Sequence, residues 1–428
     1  MSKEDKAAAW VAKSMKAASE GRSEEALRCA EHATRLAPDV AEAWSIKGLT
    51  LMDLERSAEA LASFERALKL SPRQVDALLG RATALLDLER FEDAVVAYDR
   101  AAQVAPDYPA GWLGKGIAMR RLGREEEAVA LFDRAIRIDP AQFEVWQQKA
   151  EALEELGRDE DALAAYEHCA RLDPDDATVW YNRALLLQRL GRFDDALASC
   201  ERALRLMPED PEFWRVKAGI LNKLGRADDA LSSLDRLTEA APGDAEAWHA
   251  RAAALAEMER HEEALAAYDR CLELRADDAG AWYGRGIALM ELSRHEEALA
   301  SLDRAREIEP DSADTWYTRG LVLVALERYD DAISSYDRAL KLRPDDAQCW
   351  VAKGLAVTEV EGFAAAIAYY DRAIELAPDG AGAWLLKGLA LSRTDRAAEA
   401  LACIEEAQRL GIPDLDDYIA RLKAQAAG

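Results

Sequence analysis

Residues 313–346 read ADTWYTRGLVLVALERYDDAISSYDRALKLRPDD, and the same stretch recurs in varied spelling along the chain. Trp316 is one of eleven tryptophans, at Trp10, Trp44, Trp112, Trp146, Trp180, Trp214, Trp248, Trp282, Trp316, Trp350 and Trp384, with Leu78 in the one vacant place. Every interval is a multiple of 34 residues. A period of this size, kept without insertion or deletion, is the sequence mark of a helical solenoid.

Within the unit, Trp316, Gly320, Leu323 and Leu326 share one face at helical spacing, and Ala332, Ile333, Tyr336, Ala339 and Leu340 do so after a break at Glu327-Arg328. The pattern predicts helix A over 313–326 and helix B over 329–342, each about 14 residues and on the order of 21 Å long. Arg343-Pro344-Asp345-Asp346 ends helix B, because proline lacks the N–H and disfavours helix in the residue before it, and the acids can cap the next helix. The place of Ala332 is alanine in all twelve units, from Ala26 to Ala400, and that of Gly320 is only Gly, Ala or Ser. Small side chains there let the two helices approach closely, and the tryptophan is expected to supply the large buried area.

The spacing of Trp316, Gly320, Ala332, Tyr336, Ala339 and Pro344 resembles the tetratricopeptide repeat. The resemblance covers twelve units: 7–40, 41–74, 75–108, 109–142, 143–176, 177–210, 211–244, 245–278, 279–312, 313–346, 347–380 and 381–414. It implies an all-α fold, a right-handed superhelical α-solenoid of helix-turn-helix repeats, with a polar lead-in at 1–6 and a C-terminal capping helix at 415–428. One departure is systematic. Before the Gly/Ala place, where the family usually has leucine, stands Lys or Arg in every unit, Arg319 among them, and the residue after the helix B aromatic is acidic throughout, from Glu31 through Asp337 to Glu405. The recurrence predicts ion pairs, within or between repeats, with Arg319 and Asp337 at one level of the hairpin. Their role is expected to be structural, fixing register, since a ligand contact has no reason to repeat identically twelve times.

The chain carries 81 acidic and 55 basic residues, a formal charge of −26, which argues against a nucleic-acid partner. Acidic pairs such as Glu24-Glu25 and Asp330-Asp331 sit in the first turn of helix B and complement its dipole. No run approaches the roughly 20 apolar residues that span a bilayer, and MSKEDKAAAW lacks the apolar run of a secretory signal. A cytoplasmic chain with no membrane association is expected. Six cysteines are scattered without a CxxC pair and five histidines stand apart in sequence, so no disulfide, metal or cofactor is expected. Glu151, Glu154 and Glu155 cluster without a nucleophile or phosphate loop, which excludes the usual enzyme signatures.

The resemblance places a concave, partner-binding wall on helix A, chiefly at the first, second and fifth residues after each tryptophan. That wall is apolar in repeats two to four (Ile46, Leu49, Leu79, Leu113, Ile117), and polar in the middle, with Gln147, Gln148, Tyr181, Asn182 and Arg215. It is apolar again at Tyr283, Ile287, Tyr317, Leu321, Val351, Leu355, Leu385 and Leu389. The thirteen residues from Gln147 to Leu389 are the candidate contacts for a peptide or protein. Similar repeats include clamps that hold a C-terminal carboxylate with Lys and Asn, but the matching places here, Leu79 with Thr83 or Tyr181 with Leu185, do not supply that set. An alternative is self-association as a homodimer through repeats eleven and twelve. There Gly362 replaces an arginine found in the other eleven repeats, and Ala364-Ala365 replace acids.

Overall fold

The computed structural model describes residues 2–426, which form 25 helices and no strand. Helix A of repeat ten spans Ala313–Ala325 and helix B Tyr329–Leu342. Between them the chain reverses through one residue in the left-handed region, Glu327 at φ 58°. The amide of Arg328 donates to the carbonyl of Leu323 and that of Glu327 to Val324, the paired bonds that close a helix C-terminus. Gly123, Gly157, Gly191 and Gly225 hold the same place in their repeats. Repeat eleven turns differently. Its helix A runs on to Glu361, and Gly362 at φ 89° separates it directly from helix B, Phe363–Leu376. The arginine found elsewhere at this place has thus given way to the residue that tolerates the conformation.

By contacts the helices fall into two compact units, residues up to Glu209 and residues from Asp210. In each, helix A packs on its own helix B and that helix B on the next helix A. The core sits between the paired helices. All twelve alanines of the Ala332 series are 0% exposed, and the largest fully buried side chains include Tyr166, Tyr336, Tyr370, Phe64 and Phe132 from helix B. A Cβ on Gly354 would come within 2.6 Å of Tyr370, and one on Gly320 would run into the Tyr336 ring. The tryptophans do not fill this core, contrary to the expectation from their size; they are half-buried. Within each unit, those that follow another repeat stand at the seam with it, as where the Trp316 indole N–H donates to the carbonyl of Pro310 at 2.8 Å. Trp282 makes the same bond to Ala276 at 2.9 Å, so the carbonyl rather than the proline ring is what the indole needs.

The basic residue pairs between repeats, and the levelling of Arg319 with Asp337 is corrected. Arg319 Nε donates to Asp303 of repeat nine at 2.8 Å, while Asp337 receives Lys353 of repeat eleven at 2.5 Å. The rung recurs as Lys115–Asp99 and Lys149–Asp133 in the first unit and as Arg251–Asp235, Arg285–Asp269 and Lys387–Asp371 in the second. Lys149, Arg251, Arg285, Arg319, Lys353 and Lys387 also lie near the ring of the tryptophan three residues before them, 5.9 Å from the centroid for Arg319 over Trp316, whereas the ring of Trp112 is covered by Arg134. The ring supplies an apolar cover and a cation–π contact.

The ends are adapted. The lead-in is not a separate segment: the first helix starts at Lys3, capped by Ser2 and Asp5, so Lys3–Lys6 belong to helix A of repeat one. Ser14, at the Gly/Ala place, is buried and donates its hydroxyl to the carbonyl of Ala26 at 2.7 Å. After the last repeat, the helix Asp416–Ala426 buries Ile419 and Leu422, and Lys423 pairs with Glu405 at 2.9 Å. That helix takes the place of a further helix A; residues 427–428 of the expected cap lie outside the described residues.

Candidate partner-binding groove

Helix A of repeat ten contributes Tyr317 and Leu321, and helix A of repeat eleven (Ala347–Glu361) contributes Val351 and Leu355, to the wall of one hollow of about 530 Å³. Its remaining lining includes Ala352, Ala373, Ala377, Gly380 and Gly382. These five residues carry little or no side chain, which leaves room between the larger ones. Tyr317 stands 6.0 Å from Tyr336 by ring centroid, and burial pushes its hydroxyl above the usual tyrosine range. Leu355, at 44% exposed, stands at the rim with Gln348.

Four of the thirteen candidate residues are therefore brought together. Leu385 and Leu389 lie on the next helix A, Ala381–Ser392, with Leu389 exposed and Leu385 half-buried. Tyr283 and Ile287 are half-buried on helix A of repeat nine, where the Tyr283 hydroxyl lies 3.4 Å from that of Thr318. The small residues of the turn were not singled out from sequence. Their signal is the run Ala377-Pro378-Asp379-Gly380-Ala381-Gly382, the least bulky of the turns between repeats.

The polar middle is internally engaged. Arg120 donates to Gln148 at 2.8 Å and to Glu151 at 2.7 Å, and lies 3.5 Å from Glu155. Glu154 accepts from the Tyr166 hydroxyl at 2.7 Å and from Arg189 at 3.2 Å, and Arg189 also holds Asp159. The acidic cluster is thus bound by arginines from the flanking helices A. Burial and the hydrogen bond to Glu154 push the Tyr166 hydroxyl far up, so it stays a proton donor. Arg215 reaches Asp244 at 2.5 Å, and Asp244 also caps the helix Ala245–Glu257 through the amides of Glu246 and Ala247. Burial alone would raise the Asp244 carboxyl; Arg215 and the amides outweigh it and hold it below the usual range. Gln147, Tyr181 and Asn182 are half-buried on their helices.

All six cysteines are buried and none forms a disulfide. The histidines are less isolated than their spacing suggests: His168 stacks on Trp146 at 3.9 Å and His32 lies against Trp10 at 4.4 Å. His249 offers a ring nitrogen within 4.8 Å of ligand atoms on Cys271 and Asp278, a grouping hidden in the sequence because 22 and 7 residues separate the three.

Family models described as tetratricopeptide repeat match residues 11–75, 79–143, 148–211, 249–313 and 359–414, with further models of that description over 187–254 and 313–346. The chain belongs to the tetratricopeptide repeat family. A model of the bacterial transcriptional activator domain also matches residues 115–176, a stretch that keeps the register of Ala128, Trp146 and Ala162. Similar solved structures include YrrB, described as a TPR protein with an unusual peptide-binding site, at 25% identity over 45% of this chain and 97% of that one, with a TM-score of 0.39. PilF of Pseudomonas aeruginosa is 19% identical over 50% of this chain and 99% of its own, TM-score 0.45. The Cut9–Hcn1 hetero-tetramer of APC/C is 14% identical over 99% and 96%, TM-score 0.44. No curated protein matches the sequence. Tetratricopeptide repeats generally mediate protein–protein contacts and are generally non-enzymatic. Among the described residues no helix is long and apolar enough to cross a membrane.

Proposed function

We propose that the chain is a non-enzymatic, cytoplasmic scaffold that holds an extended segment of a protein partner against the helix A wall of repeats ten to twelve. The observation that carries this reading is the hollow of about 530 Å³ among Tyr317, Leu321, Val351 and Leu355, whose lining is mostly apolar and includes several alanines and glycines. Such a surface takes one large apolar side chain and leaves the flanking residues of the ligand outside. The charge of −26 favours basic flanking residues and opposes nucleic acid. The polar middle supports the same placement, since Gln148 and Arg215 are held by their own neighbours.

Panning a random peptide library on the full chain tests the reading. Selected peptides are expected to share an apolar anchor and to lose binding in the Val351→Glu, Leu355→Glu variant, with helical content unchanged. Peptides that bind parent and variant equally would overturn the groove assignment. A second reading, self-association through repeats eleven and twelve, is favoured by the exposed apolar side chains of Leu355, Val360 and Phe363. Light scattering decides it: a dimer that Phe363→Glu dissociates supports it, and a monomer at all concentrations removes it.

A further inference from the structure

The geometry points to a divalent-cation site of the zinc type at His249, Cys271 and Asp278. The three residues come from three elements: helix A of repeat eight (Ala245–Glu257), its helix B (His261–Leu274) and the N-cap of the following helix (Ala279–Glu291). Asp278 Oδ1 stands 3.5 Å from His249 Nδ1, and Asp278 Oδ2 stands 3.9 Å from Cys271 Sγ. A separation of 3.5 Å is long for a hydrogen bond, so His249 and Asp278 face one another across a small gap, while the Cys271 thiol donates a long bond to Asp278 whose proton a bound cation would displace. Ligand atoms around a tetrahedral zinc ion, with bonds of about 2.0–2.3 Å, stand roughly 3.3–3.8 Å apart. Side-chain movements on the order of an ångström would close the set. Imidazole, thiolate and carboxylate together are donors suited to a borderline-soft cation and not to magnesium or calcium, which take oxygen alone.

The surroundings favour a closed back and an open front. Cys271 is fully buried, the Asp278 side chain is 14% exposed and that of His249 is 35% exposed. The amide of Ala281 donates to Asp278 Oδ1 at 2.9 Å and orients the carboxylate, as hydrogen bonds to metal ligands do. Tyr268 meets the imidazole edge-on at 5.8 Å. Arg275 lies 3.5 Å from Asp278 Oδ2, but its half-exposed side chain can withdraw to water. His249 directly follows Trp248, in the register of Tyr283 and Tyr317. Three protein ligands leave a fourth position open for water or for a donor on a bound molecule.

The repeats supply internal comparators. At the same three places stand Gln147, Cys169 and Asp176, then Arg215, Leu237 and Asp244, then Tyr317, Ala339 and Asp346. Repeat eight, with the N-cap that follows it, is the one place where all three donors coincide. His249→Gln therefore copies a combination the fold already contains, and Cys271→Ala installs the residue found at that place in nine of the twelve repeats.

Titration of the full chain with cobalt(II), in the presence of a thiol-free reductant, tests the assignment. One equivalent is expected to produce thiolate-to-cobalt charge-transfer absorption, which zinc then displaces. His249→Gln and Cys271→Ala should each weaken binding by about tenfold or more while keeping the helical circular dichroism, and Cys169→Ala should leave the titration unchanged. The assignment is overturned if the parent chain shows no charge-transfer band, if His249→Gln keeps the parent affinity, or if Cys169→Ala abolishes the signal.

Discussion

Arg319 Nε donates to Asp303 at 2.8 Å, and Arg319 Nη1 donates to Ser335 Oγ at 2.6 Å. One guanidinium therefore joins helix B of repeat nine to helix B of repeat ten. Arg285 spans Asp269 and Ser301 in the same way. Repeat proteins are held by the terms between neighbours, and this ladder is one of them. A double-mutant cycle with Arg319→Met is expected to show a coupling of about 1 kcal/mol with Asp303→Asn and none with Asp337→Asn. Urea unfolding measures both, and equal couplings would refute pairing between repeats.

Acid should weaken the same joint. Burial alone would raise the Asp303 carboxyl, but hydrogen bonds from Arg306 and Arg319 hold it below the usual carboxylate range. Between the folded and unfolded pKa values the unfolded chain binds more protons. This contribution is thus present above the unfolded value of about 3.9 and lost as pH falls through the lower folded value. The stability gap between the parent chain and Asp303→Asn should shrink as pH drops from about 6 to about 3. Thermal melts across that range check it, and a constant gap contradicts it.

The helix B aromatic rings lie over the glycines of the neighbouring helices A, and Phe64, with Gly48 in its own repeat and Gly80 in the next, meets both. Tyr336 lies over Gly320 of its own repeat, whereas Tyr98 and Tyr268 lie over Gly114 and Gly284 of the next, with Ala82 and Ala252 at the Gly320 place. Gly320→Ala forces Tyr336 toward Ala352, where no such space exists, and should cost about 1–3 kcal/mol. Adding Ala352→Gly should recover part of the loss, less the flexibility that glycine brings to a helix. Chemical denaturation of the single and double variants provides the comparison.

Arg120 is the hinge of the polar middle, with its side chain 15% exposed and its partners Gln148, Glu151 and Glu155 on the next helix A. Arg120→Met leaves these carboxylates without their cation and should destabilise the segment by about 1–3 kcal/mol. Hydrogen exchange is expected to rise in the helices Pro109–Arg121 and Phe143–Glu155 before it rises elsewhere. Unchanged protection there would show that the network adds nothing to the fold.

Ala276 occupies a proline place without its proline. Arg275 before it has φ −139° and ψ 86°, close to the −134° and 82° of Arg343 before Pro344. The backbone is already in the conformation that precedes proline. Ala276→Pro should therefore stabilise the chain by about 0.4–1 kcal/mol by restricting the unfolded state. A fall in the thermal midpoint would mean that the turn differs from the ten that carry proline at this place.

The sequence by itself determined the repeat, its two helices, the small residues where they touch and the acids that cap them. These features depend on contacts within about one hairpin, which a fixed 34-residue period exposes directly. Only the tertiary structure decided which acid each cation takes. Asp303 lies 16 residues before Arg319 and Asp337 lies 18 after it, so chain distance favours neither, and the packing of one hairpin on the next makes the choice. The tryptophan's place at the seam, the hollow lined by Gly380 and Gly382, and the meeting of His249, Cys271 and Asp278 arise in the same way. Each joins neighbouring repeats, and periodicity describes the unit rather than the step between units.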